Sequence, residues 1–296
     1  MDLTRAMRAF VNVVRLGGFA QAARALQTTQ PNVSKLIAAL ESELGGLLFE
    51  RNTRPLTLTG RGERFHARAN AILGALDDAK DEFEVEHQDA SGVLRIAASV
   101  AFGRTQIVPS LPELLERHPR LEIDLRLSDQ SIDLVRESID IAFRVAKLAD
   151  SDLVAKSIGE ARRLTVASPA YLARFGTPAH PSDLATHQCI QFSGIGAPRQ
   201  WSFSKNGEMI TVPVRGRIGA DASDAVREAA VQGLGVAVLP AWVLQQDLQA
   251  GRLCAVLEDF ELPPIPVQAI MPRSAKDSAR VRAALIHFEA RFTQFK

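Results

Sequence analysis

Cysteine is almost missing from this 296-residue chain, which has only Cys189 and Cys254. Two thiols so far apart make neither a disulfide framework nor a metal-ligand cluster, so both read as small core residues. Long apolar runs are missing too. No stretch reaches the eighteen or so consecutive apolar residues of a membrane span, and Asp2, Arg5 and Arg8 interrupt the start where a signal peptide would have its apolar core. The expectation is a cytoplasmic protein with no membrane partner. Common enzyme signatures are absent as well: the six histidines form no His-Glu-x-x-His pair, and no Gly-x-Ser-x-Gly elbow occurs. Gly233-Leu234-Gly235 follows a helical pattern and precedes a strand-like one, the reverse of a phosphate loop, and Gly194-Ile195-Gly196 lacks a third glycine. No catalytic residue, metal or cofactor is expected.

What is present is an ordinary globular composition, 46% hydrophobic and 23% charged, with a net charge of +1 that hides an asymmetry. Through Arg68 ten basic residues face five acidic ones, a balance of +5; from Ala69 to Ala90 Lys80 faces seven acids, a balance of −6. A basic head on an acidic stem points to a polyanion met by the head alone.

In the head, Leu3, Met7, Phe10 and Val14 line one face of a first helix, which Gly17-Gly18 ends. Phe19, Ala22, Ala23 and Leu26 give a short second helix. A third starts at Thr28 or Thr29 as N-cap with Pro31 in its first turn, buries Val33, Leu36, Ile37, Leu40 and Leu44, and stops at Gly45-Gly46. Its outer side carries Gln30, Asn32, Ser34 and Lys35, types that bond adenine, guanine or phosphate, although a solvated helix end looks the same. Leu47–Arg51 and Leu56–Leu58 then flank the turn-rich Asn52-Thr53-Arg54-Pro55, a wing that sets Arg51 and Arg54 where phosphate or the minor groove would be met.

The order Phe19, Ala22-Ala23, Leu26, Gln30-Pro31, Val33-Ser34, Ile37, Leu40-Glu41, Leu44-Gly45, Leu48-Phe49, Arg51, Thr59 and Gly62 resembles the winged helix-turn-helix of the LysR-type transcriptional regulators. Gly18 stands where that family usually has Ser, and Leu36 where it often has Gln, so no operator sequence carries over. The resemblance implies Thr29, Gln30, Pro31, Asn32, Ser34, Lys35, Arg51 and Arg54 as the surface for double-stranded DNA.

Thr59 caps a long helix with Glu63 in its first turn, and Phe65, Ala69, Ile72, Leu76, Ala79 and Phe83 repeat as a heptad seam. The pattern leaves open a seam for a second copy or one helix lying on its own domain. The resemblance implies the former: a dimer through this stem, and tetramers built from two kinds of dimer contact.

After Ser91-Gly92, strands at Val93–Ala98, Leu121–Leu127 and Ile139–Val145 alternate with helices at Pro109–Arg117 and Ile132–Glu137, which predicts a mostly parallel, doubly covered sheet. A hairpin at Lys205-Asn206-Gly207, a helix from Ala222 to Gln232, strands Val236–Leu239 and Val267–Met271, and a helix from Ser278 to Phe292 complete two α/β lobes crossed by two strands. Leu94-Arg95-Ile96, Val108-Pro109, His118-Pro119, Ile139–Arg144, Gly233–Val236, Leu239-Pro240 and Gly251-Arg252-Leu253 are similar to the effector-binding domain of the same family. The expected fold is thus an N-terminal all-α winged helix-turn-helix with a long linker helix, then an α/β bilobal periplasmic-binding-protein-like effector domain. The boundaries are 1–58 for the head, 59–90 for the linker and 91–296 for the effector domain, with lobe 1 at 91–162 and 267–296 and lobe 2 at 163–266.

Open α/β sheets bind ligands beyond the carboxyl ends of their strands. That rule selects Ser99, Val100, Phe102, Ser128, Asp129, Arg144, Val145 and Ala146 from the first lobe, with Gln191, Phe192, Trp201, Phe203 and Asp221 added from the second. Each has a plainer reading: Ser99 and Ser128 as turn caps, Phe192 and Phe203 as core, Arg144 in a structural ion pair. The resemblance favours Ser99, whose family counterpart often meets an effector carboxylate; Arg104, Arg144 and Lys147 near the cleft lean toward an anionic ligand, although solvated surface charge explains them as readily. The function expected is a sequence-specific transcriptional regulator, an activator or a repressor, controlled by a small-molecule effector and acting on DNA or RNA polymerase. The competing class is a ligand-independent architectural DNA binder.

Overall fold

The computed structural model describes residues 2–50, 56–83, 90–146, 153–192 and 199–292. Helix α1, Leu3–Leu16, is started by the Asp2 carboxylate accepting the Arg5 N–H and is ended by Gly17 at φ 73°, a left-handed turn that favours glycine. Helix α2, Phe19–Ala25, lies against it through fully buried Ala22 and nearly buried Ala23, and α3, Gln30–Glu43, closes the three-helix head by burying Val33, Ile37 and Leu40. Leu36 is only partly buried, and Leu44, expected in the core, is 42% exposed because the helix has already ended there.

Phe10 is the centre of this head. Its ring lies 5.4 Å from Phe49 and 5.7 Å from Phe65, joining α1 to the wing arm and to α4, Gly60–Phe83. Thr59 caps α4 as the sequence predicts, its hydroxyl accepting the Gly62 N–H at 2.9 Å while donating to the Leu47 carbonyl at 2.8 Å. A Cβ on Gly62 would stand 2.1 Å from the Leu48 carbonyl, so only glycine lets the helix approach the wing this closely.

Helix α4 shows why one heptad seam does not describe it. Phe65 and Ala69, the first two seam positions, pack into the head core of their own chain together with Leu73, which the seam does not contain. They are therefore not free for a partner helix. Ile72 remains 51% exposed and Leu76 half-buried, while the side chains of Ala79 and Phe83 lie outside the described residues. Another face, with Ala67, Ala71, Gly74 and Ala75, borders a cavity of about 80 Å³ against Arg95, Asp140 and Arg280 of the effector domain. An Arg136–Glu63 ion pair at 3.1 Å adds to that junction.

The effector domain contains twelve strands among the described residues. In the first lobe β1 (Gly92–Ala98) pairs in parallel with β2 (Leu121–Leu127) and with β3 (Ile141–Val145). The second lobe is entered from β4 (Val154–Ala161) and holds β5 (Arg163–Ala167), β6 (Cys189–Phe192), the hairpin β7 (Gln200–Lys205) with β8 (Glu208–Pro213), β9 (Gly219–Ala220), β10 (Val236–Pro240) and β11 (Cys254–Val256). The chain returns through β12 (Ile265–Met271), giving sheet orders β2-β1-β3-β12-β4 and β11-β5-β10-β6-β9. The return strand lies antiparallel to both β3 and β4, and β5 is antiparallel to β10 and β11. A mostly parallel sheet is thus only half right: a chain that leaves a lobe and comes back must insert strands of opposite sense.

The helix expected at Ile132–Glu137 is a set of turns. The Asp133 carboxylate accepts the Val135 and Arg136 N–H groups, and Ser138 at φ 55° closes the segment after one turn, too short to propagate. By contrast, the hairpin at Asn206-Gly207 forms with φ 54° and 84°, the paired left-handed values that this dipeptide accepts most readily. The first-lobe core gathers Phe102, Phe143, Phe288 and Phe292, with the helix Ala279–Phe292 laid across the sheet.

Candidate DNA-reading head and effector cleft

The first turn of α3 presents Thr29, Gln30, Pro31, Ser34 and Lys35 to solvent, with Asn32 half-buried behind them. Thr29 holds the N-cap place but makes no capping bond through its side chain. Instead the Asn32 amide donates to the Thr28 hydroxyl at 2.7 Å, which fixes the asparagine side chain. That turn carries no acidic residue, so the positive end of the helix dipole is unopposed and suits a phosphate.

The wing is anchored from below. The Glu41 carboxylate near the end of α3 accepts the Leu48 N–H at 2.7 Å and the Phe49 N–H at 3.4 Å, and the Glu50 N–H donates to the Thr57 carbonyl at 2.9 Å across the two arms. Arg51 and Arg54 lie outside the described residues. Thr28 and Glu41 are the pieces a residue-type search for base readers overlooks, since both act within the fold.

In the effector domain the loops after β1, β2 and β3 converge. Ser99 stands before a short helical turn, Val100–Phe102, with its hydroxyl making no capping bond. The Val100 N–H donates to the Asp129 carboxylate at 3.1 Å, so a side chain of the protein already occupies a donor that an effector anion would use. Ser128 accepts the Gln130 N–H through its hydroxyl, as a turn residue does. The Arg144 guanidinium donates toward the Ser128 and Gln130 carbonyls at 3.4 Å each, and burial lowers its pKa, partly offset by Asp129. Val145 packs on the first-lobe core and Ala146 is exposed; Lys147 lies outside the described residues.

Three aromatic assignments change. Phe102 is 1% exposed, wedged among Phe143, Phe292 and Trp242, and belongs to the core that supports the cleft. Phe203 is fully buried, and Trp201 packs beside it, because the β7–β8 hairpin folds its inner face onto the second-lobe core rather than toward the first lobe. Phe192 and Asp221 are exposed, and the Gln191 amide donates to the Val214 carbonyl at 3.3 Å. The residue missed is Asp224. It lies in the first turn of the helix Ser223–Val231 and pairs with Arg104 at 2.9 Å, a contact between lobes 120 positions apart in sequence. An acid in a first helical turn was readable; its partner was not.

Burial pushes the Cys189 thiol up to about 12, which leaves it unreactive in the core. Among the described residues no His, Cys, Asp or Glu group is arranged to hold a metal, and no helix is long and apolar enough to cross a membrane.

Two family models match the chain: "Bacterial regulatory helix-turn-helix protein, lysR family" over residues 4–63 and "LysR substrate binding domain" over residues 87–293. The HTH-type transcriptional regulator PtxR of Pseudomonas aeruginosa is 34% identical over 275 residues, covering 93% of this chain and 88% of its own. The solved CrgA of Neisseria meningitidis, a LysR-type transcriptional regulator, is similar at TM-score 0.62 and 29% identity, over 97% of this chain and 98% of its own. The full-length Vibrio cholerae virulence activator AphB is similar at TM-score 0.58 and 31% identity, over 99% of each chain.

Proposed function

The chain belongs to the LysR-type transcriptional regulators, a non-enzymatic family of DNA-binding proteins with effector-binding domains, and on that premise we propose that it reads a partly palindromic operator with two heads under the control of a small organic anion held between its lobes. The observation that carries the reading is the exposed, acid-free first turn of α3, with Gln30, Ser34 and Lys35 outward and Asn32 oriented by Thr28. Those groups offer base-edge bonds, and the helix end with Lys35, Arg51 and Arg54 offers phosphate contacts.

A homo-oligomer follows from the need for two half-sites. Ile72 and Leu76 of α4, with Ala79 and Phe83 further along, form the remaining part of the seam for a second copy, and a second type of contact would make tetramers. The work is done on the chromosome, in the cytoplasm, with RNA polymerase as the downstream partner.

Control rests on the cleft. Ser99, Val100, Asp129 and Arg144 surround the carboxyl ends of the first-lobe strands, with Gln191, Phe192 and Asp221 contributed from the second lobe. Arg104–Asp224 ties the lobes together with an exposed ion pair. An anionic effector that meets Arg104 or Arg144 competes with Asp224 and Asp129, and shifts the lobe arrangement by its differential affinity for the two states.

A mobility-shift titration of promoter fragments from the native chromosome, at several salt concentrations, tests the DNA surface. Lys35→Ala and Arg51→Ala should each weaken binding, and each lost phosphate contact should lower the salt slope by about one. Unchanged affinity and slope in both variants would remove this surface.

A further inference from the structure

A cavity of about 320 Å³ lies away from the cleft, where the chain crosses between lobes. None of Ser99, Ser128 or Arg144 borders it. Its floor is made by β5 and β11, where Thr165 and Val256 are register partners and share a face. Its walls are apolar, from Leu257, Phe260 and Leu262.

Thr165 is only 4% exposed and borders the cavity, which places a hydroxyl among its apolar walls. The surroundings are held firmly in place. The Arg163 guanidinium donates Nε and Nη2 to the Pro263 carbonyl at 2.9 and 2.6 Å, and Glu261 exchanges backbone bonds with Ser204 at 2.7 and 2.8 Å. Leu257 is held at φ 56°, a left-handed conformation that a leucine adopts only when its surroundings impose it.

The rim carries both signs: Glu160, Glu258 and Glu261 against Arg162 and Arg163. A pure anion or pure cation would meet repulsion from one set. A small zwitterion with an apolar body satisfies both, and the cavity volume lies at the lower end of the range for small-molecule sites.

We infer that this cavity is a second ligand site, distinct from the cleft, for an α-amino acid with an aromatic side chain: ammonium toward the rim glutamates, carboxylate toward Arg162, ring between Phe260 and Leu262, and a ring hydroxyl toward Thr165. Because both crossing segments line it, an occupant touches the two connections about which the lobes turn.

The probes are L-tyrosine and L-phenylalanine, with phenethylamine and 3-phenylpropanoate as analogues lacking one charge, titrated into the full-length protein by ligand-observed NMR. L-Tyrosine should bind saturably and more tightly than L-phenylalanine by about fivefold, the worth of one net hydrogen bond. That preference should vanish in Thr165→Val, and both singly charged analogues should bind more weakly than L-phenylalanine. Glu258→Gln, on the exposed rim where folding is not at stake, should weaken both amino acids severalfold. Three outcomes overturn the site: no saturable binding of L-tyrosine, binding unchanged in both variants, or binding abolished by Arg144→Ala instead, which would place the ligand in the cleft.

Discussion

The head and the effector domain build their sites in opposite ways. In the head the exposed groups lie within seven consecutive positions, Thr29 to Lys35, on one helix that a single aromatic cluster around Phe10 holds in place. In the effector domain the candidate groups come from loops after three strands and from a second lobe, and an ion pair between lobes spans Arg104 and Asp224. A site on one rigid helix depends on the core beneath it. A site between lobes depends on the angle between two cores.

The sharpest way to break that contrast is Phe10→Ala. Removing a fully buried ring that touches α1, the wing arm and α4 should destabilise the head by about 3–5 kcal/mol. Calorimetry should show the head unfolding earlier, with DNA binding lost and the effector domain's transition in place; a joint shift of both would mean the two regions fold as one unit.

Lys35→Ala should leave that stability alone, since the side chain is exposed, and act only on DNA affinity and its salt dependence, by about one unit of slope. Thermal unfolding and mobility-shift titrations on the same preparation separate the two effects.

Acid distinguishes the regions more gently. Burial lowers the histidine pKa of His66, on the linker helix against the head's Phe10, and of His187 and His287 in the effector domain, from the ordinary 6.5. The unfolded chain then binds protons more readily, so stability is intact above 6.5 and falls as pH drops from there toward the lowered folded values. With two such groups against one, the effector domain should lose more on going from roughly pH 7.5 to 5.5. Unfolding midpoints for each transition across that range check the order, and an equal loss would contradict it.

Smallest is Asp224→Asn. The pair with Arg104 is partly exposed, so stability should change by less than about 1 kcal/mol and less still at high salt. Lobe separation, read by small-angle scattering of the effector domain in the full chain, should increase slightly; a larger stability loss would make the contact part of the core rather than a tie between lobes.

The head was legible because its signals are local. Gly17, Pro31 and Thr59 each act on neighbours a few residues away, and each does so in the structure. The hairpin at Asn206-Gly207 was legible for the same reason. The misreadings share the opposite cause. Phe102, Trp201 and Phe203 follow or form strands, as lining residues do, yet which side of a sheet faces the other lobe is not written in an alternating pattern. Phe65 and Ala69 repeat like a dimer seam, but a heptad states only that a face is apolar and not which surface covers it.

The amino-acid sequence alone determined the head, the linker helix, the two-lobed plan and the family, because spacing, caps and turn residues act over short distances. Tertiary structure decided the rest: that α4 turns one face to its head and another to the first lobe, that Asp129 takes the Val100 N–H, that Asp224 meets Arg104, and that Thr165 of β5 and Phe260 line one cavity. Each is a meeting of residues distant in the chain, and only the packing of whole elements brings such residues together.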